Sequence, residues 1–81
     1  MARVVFAPEM LAYTGGQERL EVAAGSYRAA LREIQGLFPA LDDALLARFA
    51  VAIDDTVINS PLLERLEPHS EMIFVPKIAG G

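Results

Sequence analysis

The chain has 81 residues, a net charge of -4 and no cysteine, so it is long enough for one small domain only. Its 53% hydrophobic content predicts a folded core, and the lack of cysteine excludes a disulfide framework, a zinc-thiolate site and a thiol nucleophile. The acidic balance, without a cluster of Lys and Arg, argues against a nucleic-acid partner and favours a basic protein partner.

The N-terminal segment predicts neither a signal peptide nor a membrane anchor. Its apolar run is interrupted by Pro8 and Glu9, which leaves it too short for the core of a signal peptide. No stretch approaches the roughly 20 apolar residues that a membrane span needs. We therefore expect a cytoplasmic protein with no membrane partner.

The first part of the chain has the pattern of a β-hairpin. Residues 3–7 are mostly β-branched or aromatic and end at Pro8, and residues 19–22 alternate polar with apolar side chains. Paired glycines in the stretch 13–17 supply the positive φ that a turn needs. The first strand must also pair with a later part of the chain.

An amphipathic helix is predicted from Ser26 to about Phe38. Ser26 is well placed as the N-cap, because its hydroxyl can accept a hydrogen bond from the first turn. Pro39 ends the helix, since the residue before a proline disfavours the α conformation. Apolar positions at spacings of three and four residues define the buried face: Tyr27, Ala30, Leu31, Ile34, Leu37 and Phe38.

The second half of the chain predicts a short helical turn and three further strands. Asp54-Asp55 is a turn pair that separates two of the strands, and Pro76 ends the last one. The predicted segments are 41–48 for the helical turn, 49–53, 57–58 and 71–75 for the strands, and 62–66 for a single 3₁₀ turn.

This order of elements predicts an α+β protein with a mixed sheet and its helices on one face. Placing the first and last strands side by side buries the most apolar surface. We expect one domain over residues 1–75, followed by a flexible tail over residues 76–81 that projects into solvent.

Alternation along the first and last strands predicts which side chains face the helix. Val4, Phe6, Met72 and Phe74 are expected to face it, and Val5, Ile73 and Val75 to lie on the open face. An apolar strip on an open sheet face is typical of a docking site.

The sequence ends in Gly80-Gly81, which has no Cβ atoms and can thread a narrow enzyme channel. The terminal carboxylate becomes an acylating group once it is adenylated, and attack by a persulfide sulfur would then leave a thiocarboxylate. Because the chain has no cysteine, that sulfur must come from a partner.

Three stretches carry a resemblance to a known family: Val4-Val5-Phe6, residues 51–55 and residues 74–81. They resemble the MoaD/ThiS family of sulfur carriers, which have the ubiquitin-like β-grasp fold. A final strand, a proline, a short apolar link and a terminal Gly-Gly look like the small subunit of molybdopterin synthase. The loop Thr14-Gly15-Gly16-Gln17 is more similar to carriers that serve cysteine biosynthesis.

The resemblance implies a carrier or co-substrate without a bound cofactor, not an enzyme. A ubiquitin-activating-like adenylyltransferase would use ATP to adenylate Gly81, next to Gly80, before sulfuration. The loaded carrier would dock on a sulfur-acceptor enzyme, such as the large subunit of molybdopterin synthase or a cysteine synthase. We expect partners to contact Val5, Ile73, Val75, Pro76, Lys77, Ile78 and Ala79.

No other group of residues predicts a self-contained active site. His69, the single histidine, lies in a turn-like stretch and is interpreted as a solvated surface residue. The pairs Asp42-Asp43 and Asp54-Asp55 are interpreted as caps and turn residues, since no nucleophile accompanies them. Gly15-Gly16 lacks the spacing and the lysine of a phosphate-binding loop.

Two other functions fit the same sequence. The chain could be a protein modifier that joins its Gly81 carboxylate to lysines of target proteins. It could also be a pure interaction module that binds a partner through the apolar strip, with the tail playing no part.

Overall fold

The computed structural model describes residues 1–59, 61 and 63–77. Within them lie five strands, two α-helices and a short 3₁₀ helix at Pro8–Met10. The strands are β1 (Ala2–Val5), β2 (Arg19–Val22), β3 (Phe49–Ile53), β4 (Thr56–Ile58) and β5 (Glu71–Pro76), and the helices are α1 (Tyr27–Leu37) and α2 (Asp43–Leu46). No helix in these residues is both long and apolar enough to cross a membrane.

The five strands form one mixed sheet in the order β2-β1-β5-β3-β4. Strands β1 and β5 run parallel, and every other neighbouring pair is antiparallel. The predicted pairing of the first and last strands is therefore confirmed. The predicted α+β class, with a mixed sheet and a helix packed on one face, is confirmed as well.

Helix α1 follows the predicted pattern at its N-terminus. Ser26 adopts an extended conformation, and its Oγ accepts a hydrogen bond from Ala29 N–H at 3.2 Å. This bond satisfies one of the donors that the first helical turn leaves free. Tyr27, Ala30 and Ile34 are buried against the sheet, as the spacing predicts.

At the C-terminal end of α1, the prediction of the buried face is wrong for one residue. Leu37 was predicted on the buried face, but it is 60% exposed. The helix ends there, and Phe38 leaves helical geometry with φ -129° and ψ 79°. This turn brings the Phe38 ring edge-on to Phe6, with ring centroids 5.8 Å apart. Phe38 therefore packs against the core and leaves Leu37 in solvent.

The core lies between the sheet and the helices and contains a chain of aromatic contacts. Phe6 stacks on Phe74 at 6.2 Å, and Phe74 meets Phe49 edge-on at 6.4 Å. Such pairs add to the burial of each ring. Phe74 is 2% exposed and Met72 0%, so the last strand provides much of the centre of the core.

Several boundaries differ from the predicted ones. Strand β1 spans Ala2–Val5 instead of residues 3–7, and a 3₁₀ helix that was not predicted follows it. Its Met10 is fully buried, so the loop before β2 contributes to the core. The turn after it confirms the role of the glycines, since Gly15 and Gly16 have φ values of +68° and +88°.

The end of β5 also lies further along than predicted. Pro76 is the last residue of the strand, in register with Phe49. Lys77 N–H then donates to the Arg48 carbonyl at 3.2 Å. Ordered pairing thus continues two residues beyond the predicted boundary at residue 75. Proline fits at a strand end because no ladder donor is needed there.

Part of the predicted 3₁₀ turn at residues 62–66 lies outside the described residues, which omit Leu62. Glu64 N–H donates to the Pro61 carbonyl at 2.9 Å, which closes one turn at this point. Arg65 forms an isolated bridge with Ser26, and Leu66 is 4% exposed. The connection between β4 and β5 is therefore fastened to the start of α1.

Two glycine substitutions should change stability in opposite directions. Gly36 lies in α1 with open space around its Cα, so Gly36→Ala should raise the free energy of unfolding by about 1 kcal/mol through helix propensity. Gly16 also has open space but a φ of +88°, so Gly16→Ala should lower it by roughly 1–2 kcal/mol. Urea denaturation of the three proteins measures both effects. An equal effect of the two substitutions would contradict the assignment of strain to Gly16.

Candidate functional site

The open face of the sheet, opposite α1, carries a continuous band of apolar side chains. Ile73 on the central strand lies between Val5 on β1 and Ala52 on β3. Val57 on β4 continues this row beyond Ala52. A second row, closer to the end of β5, pairs Val75 with Ala50. We call these six residues the outer strip: Val5, Ala50, Ala52, Val57, Ile73 and Val75.

Burial agrees with the register on both faces. Val4 and Met72, which point towards the helix, are 0% exposed, whereas Val5, Ile73 and Val75 are half-buried. Val5, Ile73 and Val75 are half-buried because β-branched neighbours shield one another across the strands. The other members of the outer strip range from Ala50, which is 2% exposed, to Val57, which is 63% exposed. The predicted facing of the first and last strands is therefore confirmed, including Phe6 and Phe74 on the core side.

Half of the outer strip was missed at the sequence level. Ala50, Ala52 and Val57 belong to β3 and β4, and Val57 is 63% exposed. Alternation within residues 49–53 separates two faces, but it gives no information on which strand lies beside β5. That information depends on strand order, which comes from the whole fold.

Charged residues border the outer strip on two sides. Arg19 on β2 lies next to Val5 at the edge of the sheet. At the end of the sheet where β5 begins, Arg3 lies between Glu21 and Glu71 in register. Opposite charges side by side in a sheet stabilise the pairing. Charged residues therefore limit the outer strip at the start of β5, whereas the strip continues with apolar side chains towards the end of β5.

The end of β5 holds the first two residues of the predicted tail. Pro76 and Lys77 are both exposed, and the bond from Lys77 N–H to Arg48 fixes the backbone at this point. The other predicted tail residues, Ile78, Ala79, Gly80 and Gly81, lie outside the described residues. The structure thus brings Val75, Pro76 and Lys77 to one end of the outer strip.

The opposite end of β5 is fastened by Asp54. Its Oδ1 accepts from Glu71 N–H at 2.9 Å, and its Oδ2 accepts from Ser70 Oγ at 2.8 Å. Ser70 Oγ in turn accepts from Glu67 N–H at 2.9 Å. The hydrogen bond from Glu71, followed by that from Ser70, lowers the pKa of Asp54 from its ordinary value of 3.8.

Asp54 and Asp55 also form the two-residue turn between β3 and β4. Their φ values are +47° and +75°, the combination that a tight hairpin of this twist requires. Asp is among the non-glycine residues that tolerate this region best. The interpretation of this pair as turn residues is confirmed, with the added role of Asp54 in holding the start of β5.

The other polar candidates also have structural roles. Asp42 caps α2, with its Oδ1 accepting from Leu45 N–H at 2.9 Å. His69 is exposed in a turn, as predicted. Burial raises the pKa of Tyr27 above its ordinary value of 10.0. Among the described residues, no group of three or more His, Cys, Asp or Glu side chains could hold a metal ion.

No protein-family model and no curated protein sequence matches this chain. Among solved structures, it is similar to a chain of the Amycolatopsis orientalis BexX/CysO complex, with a TM-score of 0.82 and 15% identity over 100% of both chains. It is also similar to SAMP1 from Haloferax volcanii, with a TM-score of 0.70 and 19% identity over 99% of this chain and 98% of that one.

A further neighbour is the small archaeal modifier protein 1 from Methanosarcina acetivorans, in its solution structure. The TM-score is 0.77 and the identity 18%, over 99% of this chain and 95% of that one. CysO and SAMP1 are ubiquitin-like β-grasp proteins. The chain therefore has the ubiquitin-like β-grasp fold that the family resemblance implies.

Replacing Asp54 should make the stability depend less on pH. Because folding lowers the pKa of Asp54, its contribution is complete above pH 3.8 and is lost as the pH falls through the lower folded value. Asp54→Asn should therefore destabilise the protein at pH 7, and the difference from the wild type should shrink on acidification. The midpoints of urea denaturation, measured from pH 7 down to below pH 3.8, test this expectation.

The matched control is Asp55→Asn in the same turn. Asn tolerates positive φ as Asp does, and among the described residues the Asp55 carboxylate accepts no hydrogen bond like those of Asp54. An Asp55→Asn variant with the same pH-dependent loss as Asp54→Asn would contradict the role given to the Asp54 carboxylate.

Proposed function

We propose that this chain is a sulfur carrier protein whose Gly81 carboxylate is adenylated by a partner enzyme and converted to a thiocarboxylate. The observation that supports this best is the anchoring of the tail. Lys77 is fixed to Arg48 at the end of the central strand. The four residues that follow can extend at most about 14 Å from it, which is long enough to enter an active site while the domain stays outside.

The chemistry proposed for Gly81 needs three reagents from outside the chain: ATP, an enzyme persulfide and a thiol. The carboxylate attacks the α-phosphorus of ATP, and the α–β phosphoanhydride bond breaks to release pyrophosphate. The terminal sulfur of an enzyme persulfide then attacks the acyl carbon, and AMP leaves. A thiol cleaves the resulting acyl disulfide, forming a disulfide with the enzyme sulfur and leaving the thiocarboxylate on Gly81. Because Gly80 has no Cβ, no side chain at this position hinders attack on the acyl carbon of Gly81.

The outer strip supports the docking step of this proposal. Apolar patches that remain open on a small domain are typical of interaction sites. The strip runs to the end of β5, so a partner that covers it also stands beside the tail. The neighbour CysO is a sulfur carrier in complex with BexX, which supports docking of this fold on an enzyme.

The partners follow from the chemistry. A ubiquitin-activating-like adenylyltransferase in the cytoplasm would supply the ATP step, and the carrier itself would hold no cofactor. A sulfur-acceptor enzyme would then take the sulfur, for example the large subunit of molybdopterin synthase or a cysteine synthase. The loop 14–17 resembles the cysteine-biosynthesis carriers, and the end of the chain resembles the molybdopterin synthase subunit, so both acceptors stay in the proposal.

A second candidate function is conjugation to other proteins. Two of the structural neighbours are named small archaeal modifier proteins. In that role the same acyl adenylate would be attacked by a lysine amine of a target protein, and an isopeptide bond from Gly81 would form as AMP leaves. Conjugates of higher mass that contain peptides of this chain would favour this function over sulfur transfer.

The carrier function predicts a thiocarboxylate at Gly81 alone. Because the chain has no cysteine, a thiol-alkylating reagent should label only the thiocarboxylate of the protein incubated with ATP, a sulfur donor and the activating enzyme. Intact mass and fragmentation should locate the label on the C-terminal peptide. This labelling also separates sulfuration from oxidation of one of the three methionines, which adds nearly the same mass but no reactive thiol group.

The control for this experiment is the variant without Gly81. It should fold like the wild type, since the described core ends before the tail, and it should remain unlabelled. Wild-type protein that stays unlabelled in the complete reaction would overturn the carrier proposal.

The outer strip should be required for activation by the partner. Ile73→Glu and Val57→Glu each place a carboxylate in the strip, which must then be desolvated on docking. We expect each to weaken binding of the adenylyltransferase about tenfold or more, since tenfold corresponds to only about 1.4 kcal/mol. The measurement is the KM of the adenylation reaction, together with urea denaturation to verify folding.

Leu63→Glu is the matched control. Leu63 is 89% exposed and lies outside the outer strip, and the change in charge is the same. A KM that rises equally in Leu63→Glu and Val57→Glu would assign the effect to net charge and contradict docking through the strip.

A further inference from the structure

A second surface lies near Lys77, on the face of the sheet that carries the helices. An open groove of about 590 Å³ lies between α1 and α2, and Lys77 is among its lining residues. Its floor is apolar and includes Leu31, Leu46 and Phe49. Because Phe49 faces the core side of the sheet, this groove lies on the helix face, opposite the outer strip. We call it the helix groove.

The helix groove is positively charged in an acidic protein. Arg28, Arg32 and Lys77 line it, and Asp43 is the one carboxylate among its described lining residues. Three of the seven Lys and Arg residues of the chain are therefore here, against one of the eleven Asp and Glu residues. The Asp43 carboxylate is partly engaged, since its Oδ1 accepts from Gln35 Nε2 at 2.8 Å.

The arginines are placed against the preferences of their own helix. Arg28 and Arg32 are four residues apart on α1 and exposed, so their like charges are neighbours and repel each other. Arg28 also lies in the first turn, which has no acidic residue, although a helix N-terminus favours negative charge. A local arrangement that opposes stability is typical of a functional surface.

Glu33, the acidic residue of α1, lies away from this groove. Its Oε2 accepts from Ala23 N–H at 3.3 Å, next to the end of β2. Helix α1 thus has a cationic side towards α2 and an anionic side towards β2. The charge of the helix groove is therefore a property of one surface and not of the whole helix.

We propose that the helix groove is a second docking site, and that its occupant is an acidic segment of a protein partner with apolar side chains among its carboxylates. The apolar floor takes up the apolar side chains, while Arg28, Arg32 and Lys77 bind the carboxylates. The identification of this partner as the enzyme that handles the tail rests on the proposed function. The charge and shape of the groove do not depend on it.

The experiment is an NMR titration of the ¹⁵N-labelled full chain with a short synthetic peptide in which Glu alternates with Leu. Saturable shifts are expected at the amides of Arg28, Arg32 and Lys77, with affinity that falls as salt rises. The variant Arg28→Glu/Arg32→Glu should bind about tenfold or more weakly. Its first turn gains the negative charge that the helix end favours, and its own spectrum verifies the fold.

The matched control is Arg19→Glu/Arg65→Glu, with the same change in charge at two exposed residues that do not line the helix groove. It should keep the affinity of the wild type. The counterpart peptide with Lys in place of Glu should not bind. Equal loss in both double variants, or shifts spread over the whole surface, overturns the proposal.

ATP and inorganic phosphate are titrated in parallel as the other anions. Stronger shifts of the groove amides with either of them than with the acidic peptide would identify a phosphate site and overturn the assignment to a protein segment. Since none of these measurements involves Gly81, their failure leaves the carrier chemistry untouched, and failure of thiol labelling leaves the groove result untouched.

Discussion

The structure depends on the two hydrogen-bonded ladders that hold β5 between β1 and β3. The ladder to β1 covers residues 71–73 and the ladder to β3 covers residues 72–76, so the two together hold the backbone of β5 along its whole length. Asp54 fastens its first residues, and Arg48 fixes Lys77 at its other end. The residues after Lys77 therefore follow a strand whose backbone is held at both of its ends.

The two-residue alternation of the same strand places one set of side chains in the core and the other set in the outer strip. Met72 and Phe74 point into the core and are almost fully buried, whereas Ile73 and Val75 lie in the outer strip. Truncation of Phe74 would cost about 3–5 kcal/mol, while substitutions on the open face remove no core contact. Because a slip of one residue would exchange the two faces, the register set by β1 and β3 also determines which side chains form the outer strip.

The sequence predicts this fold where local chemistry decides the structure. Ser26 caps α1 because its hydroxyl can reach a free N–H, and the two faces of β5 follow from alternation alone. Prediction from the sequence fails where contacts between distant parts of the chain determine the structure. Leu37 is exposed because Phe38 turns to meet Phe6, and Val57 joins the outer strip only because β3 lies beside β5. The helix groove was not predicted either, because nothing local in the sequence brings Lys77 near α1.

The two surfaces differ in chemistry and meet at one point. The outer strip is apolar and lies on the open face, the helix groove is cationic and lies on the helix face, and both reach the end of β5 at Val75 and Lys77. A partner that binds only the strip can be displaced by any apolar surface of similar shape, because apolar contact is not directional. Charge complementarity adds discrimination among partners. Under the proposed function, an enzyme that contacts both surfaces would distinguish this chain from other β-grasp domains before Gly81 reaches its active site.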